Sequence, residues 1–264
     1  MKKIISKKIS IITVVKNDEK NIIKTINSIK NQSYKNIQYI VIDGKSNDDT
    51  LKILKKNKKN IDIIISENDK GLYDAMNKGL KLCTGDIVGI INSGDIYYKN
   101  TLKYVNYYFA KNKSIDFLFG SVKKHWGILK GYKPWKIFFT WFFYTSHSTG
   151  FFLTRNAAKK IGPYNLKYKY SSDFDYFYRM IVKNKFKGMA AKENIIFGFF
   201  RPGGISSRLG YWEHFYEKFI IRKDNKQNKF FILLLIFVKI LRDYKMLKKL
   251  ELKKFKKFLN YILK

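Results

Sequence analysis

Ile9-Ser10-Ile11-Ile12-Thr13-Val14-Val15 runs directly into Lys16-Asn17-Asp18. This apolar, β-branched run has the length of a strand buried on both faces of a parallel sheet. Met1-Lys2-Lys3-Ile4-Ile5 before it has the opening of a signal peptide, but the apolar stretch is short and no small-residue cleavage site follows. The run therefore reads as a first strand. Asp18 is placed to cap the next helix, where Ile22, Ile23, Ile26 and Ile29 fall at helical spacing.

The pattern repeats outward from there. Ile37 to Ile42 predicts a second strand, ending in the polar loop Asp43-Gly44-Lys45-Ser46-Asn47-Asp48-Asp49-Thr50. A helix carrying Leu51, Ile53 and Leu54 follows, then a strand at Ile61 to Ile65, a helix over Tyr73 to Leu82 and a strand at Ile87 to Ile91 that stops at Asn92-Ser93-Gly94-Asp95. Alternating strands and helices imply right-handed βαβ units, a mostly parallel sheet, and ligands bound beyond the carboxyl ends of its strands. Asp116 to Val122 and Thr149 to Thr154 predict further strands, Arg155 to Ile161 and Asp173 to Val182 helices, and Ile195 to Phe200 a last strand. The aromatic stretch Pro134 to Tyr144 departs from this pattern.

With 264 residues and 45% apolar content, the chain is long enough for one α/β domain, expected over residues 1–208, with an appendage over residues 209–264. The appendage has 15 Lys and Arg against 5 Asp and Glu. Within it Phe230 to Val238 is apolar throughout, yet too short to span a bilayer, which takes about 20 residues. It either packs on the domain or faces lipid. Leu247, Leu250, Phe255, Phe258, Leu259, Ile262 and Leu263 recur near the helical period with lysines opposite, the pattern of a basic amphipathic helix. The net charge of +34 suits nucleic acid, an anionic membrane or a phosphate-bearing substrate, although a Lys-, Asn- and Ile-rich composition is also what AT-rich coding produces. Cys83 is the only cysteine, which excludes an intrachain disulfide and fits a reducing cytoplasm.

Carboxylates are scarce, so their positions are informative. Of the 15 acids before Leu209, ten fall in the groups Asp43/Asp48/Asp49, Glu67/Asp69/Asp74, Asp86/Asp95 and Asp173/Asp175, at strand ends or helix starts. Helix capping accounts best for Asp48, Asp49 and Asp86. Asp95 closes a turn directly after an apolar strand, where a carboxylate can hold Mg²⁺ or Mn²⁺ with substrate phosphates and water completing the shell. Asn-Ser-Gly-Asp is also an ordinary turn. Asp74 and Asn77 lie three apart on one helical face.

Taken in order, Ile9 to Lys16, Ile40 to Thr50, Ser66 to Gly85 and Val88 to Asp95 resemble glycosyltransferase family 2. Glu67-Asn68-Asp69-Lys70-Gly71-Leu72-Tyr73-Asp74-Ala75-Met76-Asn77-Lys78-Gly79 is similar to the signature of the branch that builds bacterial exopolysaccharide, of colanic-acid type, and lipopolysaccharide. The resemblance implies a GT-A fold, that is, a Rossmann-like, mostly parallel α/β sheet flanked by helices. It also implies a nucleotide-diphosphate sugar donor, UDP-sugar favoured, a divalent Mg²⁺ or Mn²⁺ ion and inversion at the anomeric carbon. By position, Thr13, Val14 and Asn17 would line the base pocket, Asp43 would accept from the base, and Asp74 and Asn77 would contact ribose or sugar. Asp95, in the place of the DxD motif, would bind the metal, and Asp173 would be the general base, with Asp175 the lesser candidate. Asn92, His147 and the loop residues Gly203, Gly204 and Ser206 are secondary candidates. Two departures matter: relatives often have an acid where Asn92 stands, which would leave Asp95 as the one direct protein ligand to the metal, and an Arg where Met76 stands, so phosphate neutralisation must come from elsewhere, with the abundant lysines as candidates.

The expected acceptor is a glycan or polyprenyl-linked glycan, met at the inner face of the cell membrane through an anionic surface. A nucleic-acid-binding protein is the rival suggested by charge, but no recognition motif supports it. A dinucleotide oxidoreductase lacks its Gly-x-Gly-x-x-Gly after the first strand. A catalytically silent, donor-binding family member is the remaining alternative.

Overall fold

The computed structural model describes residues 6–131, 133, 136–139, 148–203 and 211–247. In chain order these form β1 (Ile9–Val15), α1 (Ile22–Lys30), β2 (Ile37–Asp43), α2 (Thr50–Lys56), β3 (Ile63–Ser66), α3 (Leu72–Leu82), β4 (Ile87–Asn92), the short β5 (Ile96–Tyr97) and α4 (Thr101–Lys111). There follow β6 (Phe117–Phe119), β7 (Ser121–Lys124), β8 (Gly127–Leu129), α5 (Lys136–Phe139), β9 (Phe151–Thr154), α6 (Arg155–Ile161), α7 (Ser172–Tyr178), β10 (Gly188–Ala190), β11 (Ile196–Phe199), α8 (Tyr211–Asp224) and α9 (Lys229–Leu247).

Among the described residues, seven strands form one sheet in the order β10-β6-β9-β4-β1-β2-β3. β1 is an interior strand and pairs in parallel with both β2 and β4. Every residue of β1 is buried, including the polar Ser10 and Thr13, as expected of an interior strand of a parallel sheet. Its side chains alternate between two cores. Ile12 and Val14 pack with Ile40, Ile42, Tyr73 and Met76, while Ile9, Ile11 and Val15 pack with Tyr39, Val41, Ile22 and Ile26. Each fully buried isoleucine contributes about 1.5–3 kcal/mol, so this strand and its neighbours dominate the stability of the sheet. β9 runs antiparallel to both β4 and β6. It breaks the parallel pattern beside the strand that carries Asn92.

Two sequence expectations need correction. The single strand predicted for Asp116 to Val122 is two: β6 belongs to the large sheet, whereas β7 belongs to a second sheet of order β5-β11-β7-β8. Gly120 is the joint, and a side chain there would collide with the Phe197 ring. The helix predicted over Asp173 to Val182 is α-helical only to Tyr178 and widens into a π turn at Arg179–Lys183.

The apolar run Phe230 to Val238 lies in α9. One face of α9 buries Ile232, Leu235 and Ile236 against Phe215 and Phe219 of α8. The other face is exposed. No helix among the described residues is long and apolar enough to cross a membrane. The amphipathic stretch beyond Leu247, and all of Pro134 to Tyr144 except residues 136–139, lie outside the described residues.

Candidate active site

The carboxyl ends of β1, β2 and β4 converge, and their loops are stitched together by short polar side chains. Asn17 turns the chain after β1 with φ of 52°, a left-handed conformation that Asn tolerates better than most residues. Its Oδ1 accepts from the Asn47 amide at 2.9 Å, while its own amide donates to Ser46 Oγ at 2.8 Å. Asp43, fully buried at the end of β2, accepts from Ser66 Oγ at 2.6 Å and from the Ser46 amide and hydroxyl. These bonds hold the carboxylate rigid at the sheet edge.

Asp18 does not cap the first helix through its side chain; Asn21 occupies the cap position. Instead the Asp18 carboxylate accepts from Asn21 Nδ2 at 2.7 Å and Ser93 Oγ at 2.7 Å, and pairs with Arg201 at 3.2 Å. Asp18 thus ties the loop after β1 to the turn after β4 and to the segment after β11.

Asp95 is buried at the mouth of that turn. Its Oδ2 accepts from Thr149 Oγ1 at 2.9 Å and its Oδ1 from the Arg201 amide at 2.9 Å. Gly94 before it has φ of 87°, and the Arg201 side chain lies across it. A Cβ at Gly94 would stand 2.6 Å from Arg201 Nε, so only glycine admits the guanidinium here. Lys124 adds a second cation, set 4.4 Å over the Phe200 ring. Burial lowers the pKa of its ammonium, and the nearby Asp95 charge opposes that fall. Arg201 and Lys124 thus place positive charge beside Asp95, whereas Met76 packs in the core and lines the wall of a separate cavity. Neither is legible as a site residue in the sequence, because Arg201 meets Asp18 across 183 positions and Lys124 is one lysine among many.

Asn92 donates to Ser148 Oγ at 3.2 Å, and its own Oδ1 is buried with no protein partner. Ser148, Tyr73, Met76, Tyr164 and Asp173 line a small cavity between α3, β4 and α7. The adjacent residues Ser148 and Thr149 link these groups: Thr149 bonds Asp95, and Ser148 accepts from Asn92 and lines the cavity with Asp173. Tyr73 Oη is 3.3 Å from Asp173 Oδ1 and 3.0 Å from the Tyr170 carbonyl oxygen. Burial, reinforced by the Asp173 charge, keeps this phenol protonated far above its ordinary range. From α8, buried Lys218 is pushed down to about 8 by burial, with the charge of Asp173 acting against the fall.

Other predicted residues stand elsewhere. Thr13 is wholly buried, and its hydroxyl accepts from Tyr39 Oη at 3.1 Å inside the core. Val14 packs in the opposite core. Asn77 is buried and clamps Tyr164, donating to its carbonyl at 2.9 Å and accepting from its amide at 2.8 Å. Its amide group is committed to the fold. Asp74 accepts from the Lys70 amide at 3.0 Å and lies 3.7 Å from Lys78, and it does not line the cavity that holds Asp173. Asp175, 2% exposed, is held by Arg179 at 2.8 Å and Asn225 at 2.8 Å. It ties α7 to α8 rather than facing the cavity. Gly203 has φ of 89°. Gly204, Ser206 and His147 lie outside the described residues.

Comparison with known proteins adds a family and a fold. The family model described as Glycosyl transferase family 2 matches residues 10–180. A PGL/p-HBAD biosynthesis glycosyltransferase of Mycobacterium bovis is 28% identical over 155 residues, which cover 57% of this chain and 60% of that protein. An uncharacterized glycosyltransferase of Methanocaldococcus jannaschii is 27% identical over 190 residues, covering 67% of this chain and 65% of that protein. The chain's match thus spans about 60% of the length of the mycobacterial relative. Among solved structures, S. aureus TarS residues 1–349 in complex with UDP-GlcNAc aligns with a TM-score of 0.72 at 18% identity, over 96% of this chain and 79% of that one. The mannosyltransferase PcManGT of Pyrobaculum calidifontis, in complex with GDP-Man and Mn²⁺, aligns with a TM-score of 0.62 at 14% identity, over 85% of this chain and 66% of that one. The mixed, mostly parallel sheet flanked by helices is the GT-A fold of these neighbours.

Proposed function

The chain belongs to glycosyl transferase family 2, and from that premise we propose that it transfers a sugar from a nucleoside-diphosphate sugar, UDP-sugar favoured, to a glycan or polyprenyl-linked acceptor in bacterial surface polysaccharide synthesis. Transfer inverts the anomeric carbon and takes place at the inner face of the cell membrane. One observation supports this reading: Thr149 bonds the buried acid Asp95, and its neighbour Ser148 lines a cavity wall shared with Asp173. Nucleotide sugars bound to TarS and PcManGT support the donor class, and the latter's Mn²⁺ supports a divalent ion.

The residues present fit such an ion. Among the described residues no three His, Cys, Asp or Glu side chains gather as a metal cage. Mg²⁺ or Mn²⁺ needs only one or two protein oxygens when phosphates and water supply the rest. Asp95 would hold it, with the unpartnered Asn92 Oδ1 as the second oxygen. When bound, the ion neutralises the diphosphate as it leaves. The chain's own groups do the remainder. Asp43 and Asn17 hold the base-binding loops in register. Arg201 and Lys124 supply charge for the phosphates. Asp173 accepts the acceptor hydroxyl's proton as that oxygen attacks C1, and the Tyr73 hydroxyl fixes the orientation of its carboxylate.

Asp173→Asn keeps the shape and loses the base. Turnover is expected to fall about 100-fold or more, while donor affinity is retained because the ground-state contacts are unchanged. NMR of the product should show the inverted anomer. Near-wild-type turnover by the variant, or a retained anomer, contradicts the assignment. Donor binding without turnover by the unaltered protein, across acceptors, would return the catalytically silent reading.

A further inference from the structure

The outer face of α9 carries Phe230, Leu233, Leu234, Phe237, Val238 and Leu241, each between 47% and 82% exposed. These residues recur at helical spacing and form one continuous ridge along a helix about 28 Å long. A soluble surface seldom leaves such a row uncovered without an occupant. The ridge continues onto a second element. Phe139 of α5, 54% exposed, stands edge-on to Phe231 at 5.4 Å.

Charge selects the occupant. Exposed Lys223, Lys226 and Lys229 stand at the end of the ridge where α8 turns into α9, and exposed Arg242 stands at the other. Within Lys229–Leu247 the only acid is Asp243, which is neutralised by Lys239 at 2.7 Å and Arg242 at 2.9 Å. An apolar helix face bounded by cations, on a chain of net charge +34, matches a bilayer with anionic headgroups. Apolar insertion and attraction of Lys and Arg then act together. A second copy of the same face would instead set cation against cation.

We propose that the α9 ridge, continued by Phe139, is the face by which this protein lies on an anionic bilayer without crossing it. The α8–α9 hairpin is also fixed to the segment that leads to Asp173. Glu217 accepts from the Lys169 amide at 2.6 Å, Asp224 accepts from Tyr168 Oη at 2.7 Å, and Asn225 donates to Asp175 at 2.8 Å. Docking α9 on lipid therefore holds α7 at a set height above the headgroups. That Asp173 then meets a lipid-linked acceptor rests on the function proposed above; the docking surface does not.

The test is flotation of the full chain with vesicles of phosphatidylcholine alone and with an equal share of phosphatidylglycerol. The unaltered protein should float with the acidic vesicles. The double variant Leu234→Glu/Phe237→Glu, which changes only exposed positions, should lose about tenfold or more in partitioning. Trp126→Glu, 60% exposed on a different element, should float like the unaltered protein. Circular dichroism and UDP calorimetry on the same samples separate lost docking from lost folding or lost donor binding. The proposal is overturned if the unaltered protein stays with the soluble fraction, if the double variant floats unchanged, or if sedimentation shows that the double variant dissociates a dimer while flotation persists.

Discussion

Arg201 is the residue on which the site's electrostatics turn. Its amide orients Asp95, and its guanidinium lies over Gly94 while pairing with Asp18 at 3.2 Å. The pair is about one-third exposed on the arginine side, so its own contribution to stability is small. In the function proposed above its larger role would be toward a diphosphate, because a charge-assisted, forked donor matches phosphate oxygens. Arg201→Gln keeps the backbone bond to Asp95 and removes the charge. Donor KM is expected to rise about tenfold or more, with thermal stability nearly unchanged and partial recovery in Arg201→Lys. Steady-state kinetics over a range of UDP-sugar concentrations measure this, and an unchanged KM would remove Arg201 from the phosphate site.

At the scale of elements, Asn77 shows how a sequence signal divides between fold and function. It lies one turn along α3 from Asp74, as the sequence predicts, yet its amide bonds reciprocally to the backbone of Tyr164. Asn77→Ala leaves both of those buried backbone groups unpaired, so chemical denaturation should show a loss of about 2–4 kcal/mol. Donor affinity of the folded fraction should hold. A stable variant with weakened donor binding would instead return Asn77 to the ligand. The strands were legible because period and length decide them: β1 spans the predicted Ile9 to Val15, and the ends of β2 and β4 differ from expectation by one residue each. The split between β6 and β7 was not legible, because Phe117 to Val122 reads as one mostly apolar run and the Phe197 ring that packs against Gly120 comes from far along the chain. Likewise Asp43, Asp95 and Asp173 announce themselves as acids at strand or helix ends. Thr13 and Asp175 do not reveal from the sequence that their partners are Tyr39, Arg179 and Asn225.

Over the whole molecule, a GT-A sheet gathers the loops that follow its strand ends, and the hairpin of α8 and α9 is bonded to α7 through Asn225 and Asp175. The family signature lies in residues 10–180, whereas Arg201, Lys218 and the α9 ridge all lie beyond it. Beyond the family region the chain thus carries further cations and the exposed apolar face proposed above as the membrane contact. Its net charge of +34 favours phosphate-rich ligands generally, so the central claim needs a measurement that bulk attraction cannot mimic. That measurement is calorimetric titration of the protein with UDP-, GDP- and dTDP-sugars, with Mn²⁺ and with EDTA, alongside Asp95→Ala. The account predicts saturable one-to-one binding of one nucleotide class, UDP-sugar favoured, that requires the ion and is lost in Asp95→Ala. Binding of equal strength in EDTA and in the variant, or no saturable binding of any of the three, would contradict it.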